Sequence, residues 1–183
     1  MDYHKLIKQN RKKPIISFDE LNNQSSIVEV DYQKSEIEKL IPHRDPFLFV
    51  DEIIAVDLTT DNELIVGTRY IDEKDPVFKG HFPDFPLYPG TLQLEMGGQL
   101  GLCLTYFVVN QTTDIAPDAE MIQVRATKVL GSMFVEPLLP GKKVVIVSKR
   151  LEYDGYFGTV LSQIITDNKV NTVSIAEVIF LNE

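Results

Sequence analysis

Apolar residues follow two different patterns along this chain. Between 91 and 109 they run without proline through Leu92, Leu94, Met96, Leu100, Leu102, Cys103, Leu104, Phe107 and Val108. That run is too long for a strand and predicts a helix. Its apolar positions go nearly all the way round, so the helix should be buried. Elsewhere the apolar runs are shorter and rich in β-branched and aromatic residues. Residues 47–58 and 63–71 predict two strands, with a Thr-Thr-Asp-Asn turn at 59–62. After a loop at 110–119 come further strand-like runs, most clearly 143–153, 155–166 and 170–181, punctuated by Gly141 and Asp167-Asn168. A short amphipathic helix is expected around 35–40, with Ser35 as its cap, Glu38 completing a capping box and Pro42 stopping it. Strands, one long helix, then more strands describe an α+β domain with an antiparallel sheet. A sheet wrapped round one helix covers only part of that helix. The remainder needs a partner, so a dimer is expected.

Composition narrows this picture. The chain has 183 residues, 44% of them apolar, enough for one domain with a sizeable core. Residues 1–35 differ from the rest and are set apart as an N-terminal extension, partly ordered, before a main domain at 36–183. The extension has a basic start, Lys5, Lys8, Arg11, Lys12 and Lys13, and a polar stretch at 22–26. It reads as a solvated tail, the alternative being a small basic patch for an acidic partner. The net charge of −9 disfavours nucleic acid as a partner. No run approaches the ~18 apolar residues that a membrane span needs. The start has no apolar signal-peptide core, and Cys103 is the only cysteine, so a cytoplasmic location is expected.

Candidate chemistry is concentrated in one stretch, Lys79-Gly80-His81-Phe82-Pro83-Asp84-Phe85-Pro86-Leu87-Tyr88-Pro89-Gly90-Thr91-Leu92-Gln93-Leu94-Glu95. His81, one of three histidines, lies in a loop stiffened by prolines. Histidine accepts and returns protons near neutral pH with the least adjustment. Glu95 sits inside the expected helix, where an unpaired carboxylate is costly. Two readings of it stand side by side: an ion pair with Arg44 or Arg125, or an acid in catalysis. Gln99, at i+4, is placed to hold the carboxyl by a hydrogen bond. Gly90 opens the helix, where unpaired N–H groups and the helix dipole stabilise a carbonyl oxygen gaining charge. Gly97 and Gly98 imply that something packs closely, either a second helix or a ligand tail. His43 reads as a loop histidine bonded locally. No metal-ligand spacing, phosphate loop or nucleophile elbow is present.

Two segments together resemble the hotdog-fold 3-hydroxyacyl-[acyl-carrier-protein] dehydratases. The first is Ile41-Pro42-His43-Arg44-Asp45-Pro46-Phe47-Leu48-Phe49-Val50-Asp51. The second is Gly80-His81-Phe82-Pro83 with Pro86, Pro89-Gly90, Glu95 and Gln99. The resemblance implies a hotdog fold, an antiparallel sheet wrapped round one long central helix in a homodimer that sometimes assembles further. It implies that His81 of one subunit meets Glu95 of the other and that the Gly90 N–H polarises a thioester carbonyl. The implied reaction dehydrates (3R)-3-hydroxyacyl thioesters, carried on acyl carrier protein or coenzyme A, to trans-2-enoyl thioesters in fatty acid or related lipid or polyene synthesis, with no cofactor. Phe85, Leu87, Tyr88 and Met96 are candidates for an acyl tunnel. Docking of an acidic carrier would use Lys79, Arg125, Lys128 and Lys142-Lys143. The competing readings are a hotdog thioesterase, with Glu95 activating water, and a non-catalytic acyl-binding subunit.

Overall fold

The long apolar run forms one helix. The computed structural model describes residues 1–60 and 62–181, apart from the side chains of Phe18, Asp19 and Asn22. The helix, α4, spans Gly90–Asn110 and ends at Gln111, whose backbone is left-handed. Three shorter helices precede it: α1 (Tyr3–Asn10), α2 (Phe18–Asn23) and α3 (Lys34–Leu40). The strands are β1 (Val28–Gln33), β2 (Glu52–Asp57), β3 (Leu64–Tyr70), β4 (Val124–Phe134), β5 (Lys143–Tyr153), β6 (Phe157–Thr166) and β7 (Lys169–Phe180). They form one antiparallel seven-stranded sheet in the order β1-β2-β3-β5-β6-β7-β4. The sheet curls round α4, which touches β3, β4, β5, β6 and β7. This is the hotdog arrangement expected from the motifs.

Alternation along the strands makes two cores, one on each face. On the inner face, Met96, Leu100, Cys103, Leu104 and Phe107 of α4 pack with Val144, Ile146 and Ile164 of the sheet. On the outer face, Val147, Leu161, Val173 and Ile175 pack with Ile7 of α1 and Ile16. Residues 1–35 therefore include a helix seated on the outer face and a strand, β1, that extends the sheet beyond β2. Their sequence signal is weak because, among the described side chains there, only Ile7 and Ile16 are buried.

Several local details differ from the sequence reading. The strand expected at 47–58 begins only at Glu52, because residues 47–51 form an irregular segment against α4. The cap of helix α3 lies two residues earlier than expected, at Gln33. The Gln33 N–H donates to Glu36 at 3.2 Å, so Gln33 and Glu36 take the places expected for Ser35 and Glu38. Asp61, in the expected 59–62 turn, lies outside the described residues. Gly97 faces the sheet, not a second helix: a Cβ there would lie 2.6 Å from the Cβ of Ser162. Ser148 and Ser162 donate hydrogen bonds to its carbonyl at 3.0 and 3.1 Å, pinning the helix to β5 and β6.

Candidate active site

The proline-rich loop ahead of α4 holds His81 by its backbone and its ring. A single 3-10 turn at Pro76–Lys79 leads into it, capped by Asp75. The His81 N–H donates to the Val77 carbonyl at 2.9 Å, and the Leu87 N–H donates to the His81 carbonyl at 3.0 Å. The His81–Phe82 peptide is cis, and the two rings stack 4.2 Å apart. Imidazole Nδ1 lies 3.0 Å from the Leu87 carbonyl oxygen. A carbonyl only accepts, so Nδ1 carries the hydrogen. In the neutral ring the free lone pair is then on Nε2, which is what a base requires.

Helix α4 begins beside that ring. The N–H groups of Leu92 and Gln93 both return to the Pro89 carbonyl, which leaves those of Gly90 and Thr91 without an intrahelical acceptor. Gln93, buried, ties the helix start down: it donates to the Tyr88 carbonyl at 3.1 Å and accepts from Thr172 at 2.6 Å. The Phe134 ring lies 2.5 Å from where a Cβ on Gly90 would stand. His81, Leu87, Tyr88, Gly90, Thr91 and Phe134 line one cavity of about 470 Å³.

Glu95 belongs to a different cavity. Five residues at 100° each put it roughly 140° round the helix from Gly90. It lines a pocket of about 340 Å³ with His43, Gly98, Gln99, Leu102 and Arg125. Its side chain is about one-third exposed, not sealed in the core as the sequence suggested. Gln99 holds it. The amide nitrogen donates to Glu95 Oε1 and to the Phe47 carbonyl, both at 2.9 Å, and the amide oxygen accepts from the Phe49 N–H at 2.7 Å. Both N–H donors and the oxygen of this buried amide are thus engaged, which fixes its orientation and that of the carboxyl.

Neither expected arginine pairs with Glu95. Arg44 instead donates to the carbonyls of Glu38, Ile41 and His43, tying the end of α3 to the loop after Pro42. That loop brings His43 Nε2 to 3.4 Å from Glu95 Oε1, while His43 Nδ1 is buried without a partner. His43 is the site residue that sequence reasoning set aside. Its signal was its place in the first motif, one residue past the helix-ending Pro42. Of the tunnel candidates, Leu87 and Tyr88 line the His81 cavity, Phe85 is exposed, and Met96 is buried in the core. One chain therefore brings His81 together with Gly90, and Glu95 together with Gln99, in two separate cavities. Among the described residues, no group of three or more His, Cys, Asp and Glu side chains is placed to hold a metal ion.

A family model for FabA-like domains matches residues 41–174, a stretch that includes His81, Gly90, Glu95 and Gln99. The chain belongs to the FabA-like family. Similar proteins include the 3-hydroxyacyl-[acyl-carrier-protein] dehydratase FabZ of Campylobacter lari, 38% identical over 109 residues covering 60% of this chain and 70% of that protein. The enzyme of the same name from Polynucleobacter necessarius is 34% identical, over 71% of this chain and 78% of its own. Among solved structures, the dehydratase heterocomplex ApeI:P from Xenorhabdus doucetiae has the same fold, with a TM-score of 0.55 at 16% identity over 80% of this chain and 91% of that one. The FabA-like match stops short of α1, α2, β1 and α3, which lie before residue 41. No helix of the described residues is long and apolar enough to cross a membrane.

Proposed function

We propose that this FabA-like protein is a hydro-lyase that dehydrates (3R)-3-hydroxyacyl thioesters, carried on acyl carrier protein, to trans-2-enoyl thioesters in fatty acid synthesis. The observation that carries the reading is the His81 tautomer. With Nδ1–H committed to Leu87, Nε2 is the free base, and it shares a cavity with the unpaired N–H of Gly90. His81 Nε2 takes the proton from C2. The thioester oxygen gains charge and is met by the Gly90 N–H at the positive end of α4. The C3–O bond then breaks. The leaving hydroxyl takes a proton from the carboxyl of Glu95 and departs as water. His81 ends protonated and Glu95 ionised, and one proton returned from the first to the second resets the site.

The acid comes from a second copy in this proposal. Three features support it. His81 and Glu95 line separate cavities in one chain. Leu94, Gly98 and Leu102 form a half-buried stripe on α4 at i, i+4, i+8 that the chain's own sheet leaves partly open. Among the described residues, strand β4 pairs only with β7 and carries exposed Val129 and Phe134 along the free edge. A homodimer joined there, with or without further assembly, and a cytoplasmic location belong to the same reading. The test is the hydration of a short enoyl thioester, followed by loss of its ultraviolet absorbance. His81→Ala and Glu95→Gln should each lower kcat at least ~10²-fold. Wild-type rates in either variant would refute the assignment.

A further inference from the structure

The cations named from sequence as a docking surface are mostly engaged within the fold. Lys128 pairs with Glu177 at 3.2 Å, Lys142 with Asp167 at 2.8 Å and Lys143 with Glu52 at 3.1 Å. Lys79 and Arg125 remain, apart from one another, one ahead of His81 and the other in the Glu95 pocket. The start of the chain is different. Residues 3–13 carry Lys5, Lys8, Arg11, Lys12 and Lys13 and no acid, in a chain whose net charge is −9. None of these five forms an ion pair among the described residues, and the four lysines are exposed.

This basic turn is fixed in place. Gln163 of β6 is fully buried on the outer face, and its amide is committed to the backbone of the turn. Its nitrogen donates to the carbonyls of Asn10 and Lys13 at 2.5 and 3.0 Å, and its oxygen accepts from the Ile15 N–H at 2.7 Å. The Arg11 guanidinium reaches Met133 Sδ at 3.7 Å. Strand register then locates the turn. Gln163, Val173 and Met133 form one row across β6, β7 and β4, and the next row is Ile164, Thr172 and Phe134. Adjacent residues on a strand face opposite ways, about 3.3 Å apart along it. Thr172 bonds Gln93 and Phe134 lies over Gly90, so the second row carries the start of α4. The basic turn and the thioester-binding end of the site are therefore back to back at one end of the sheet.

We propose that Lys8, Lys12 and Lys13, held in place with Arg11 as an anchor, form the surface that docks an acidic carrier protein while its thioester arm reaches round to the His81 cavity. The inference rests on the dehydratase reading for the carrier's identity and on charge complementarity for the contact. It gives the segment ahead of the matched family domain a role in choosing between a protein-borne and a free thioester.

The experiment compares wild type with the full-length Lys8→Glu/Lys12→Glu/Lys13→Glu variant. These side chains touch neither half-site, and the Lys13 carbonyl that Gln163 holds is unchanged. Binding of acyl carrier protein bearing its phosphopantetheine is measured by fluorescence anisotropy. Turnover of a small neutral N-acetylcysteamine enoyl thioester is measured in parallel. The dissociation constant should rise about tenfold at low salt, and the difference should vanish near 0.5 M salt, where the screening length is only a few Å. Turnover of the small thioester should be unchanged. Equal carrier binding by both proteins overturns the proposal even if both turn over the small thioester. A binding difference without any turnover upholds the docking surface and refutes the dehydratase reading.

Discussion

The two half-sites are built by different means. Around His81 the backbone does the positioning: prolines stiffen the loop, a carbonyl fixes the ring tautomer, and the helix start provides free N–H groups. Around Glu95 side chains do it. The carboxyl hangs from the second turn of α4 and is aimed by one glutamine and approached by one histidine. A backbone-built site tolerates changes of its neighbours as long as the turn geometry holds. A side-chain network fails when one member is lost, because its partners are left unsatisfied. In the proposed mechanism the contrast also separates the two chemical roles: His81 and the Gly90 N–H, assigned as base and oxyanion donor, share one cavity, and Glu95, assigned as the acid, lies in another.

The sharpest way to break this comparison is to mix the halves. If each site takes His81 from one copy and Glu95 from the other, then inactive His81→Ala and inactive Glu95→Gln regenerate one intact site in every mixed dimer. Refolding them together in equal amounts should restore about one quarter of wild-type activity, since half the dimers are mixed and each has one good site of two. No recovery in proteins shown to have exchanged subunits would place both groups in one chain.

Gln99→Leu comes next. It strips the Phe49 N–H and the Phe47 carbonyl of partners and releases Glu95. Loss of such bonds should cost about 1–3 kcal/mol in urea unfolding. The rate should fall by roughly tenfold or more while carrier binding stays intact. A stability loss with full activity would show that Gln99 supports the fold but does not aim the acid.

How much of this could be read from the chain depended on how local the signal was. The helix was legible because nineteen residues without proline and with apolar positions all round have few other solutions. His81, Gly90 and Glu95 lie within fifteen residues, and their types and spacing announced the chemistry. His43 was missed because its partner is over fifty residues away, and only the fold brings them together. The reason for Gly97 was missed likewise, since it lies in Ser162 on β6. The extension was underread because the feature that fixes it, Gln163, sits a hundred and fifty residues downstream and looks in sequence like an ordinary polar strand residue.

Gly90→Ala tests the backbone-built half. A Cβ there would stand 2.5 Å from the Phe134 ring, so the ring must shift to admit it. The helix and its N–H groups should survive, so the rate should drop by only about tenfold, from misplacement of the thioester. Removing the ring with Phe134→Ala in the same protein should recover most of that loss. Additive losses instead would mean that the methyl acts on the backbone itself.

The smallest effect is expected remote from both half-sites, at Asp57. Burial pushes this carboxyl's pKa up, but the Thr59 N–H, the hydroxyls of Ser26 and Thr59 and the Asn62 amide outweigh it and hold the pKa below the usual aspartate value. A group lowered in the folded state adds stability above its unfolded pKa and loses it as pH falls through the folded one. Asp57→Asn should therefore melt below wild type at pH 7, and the gap should close as pH drops under about 4. Activity at pH 7 should not change. A lowered rate there would mean that the loop after β2 communicates with the site, and the independence of fold support and chemistry drawn from the two halves would fail.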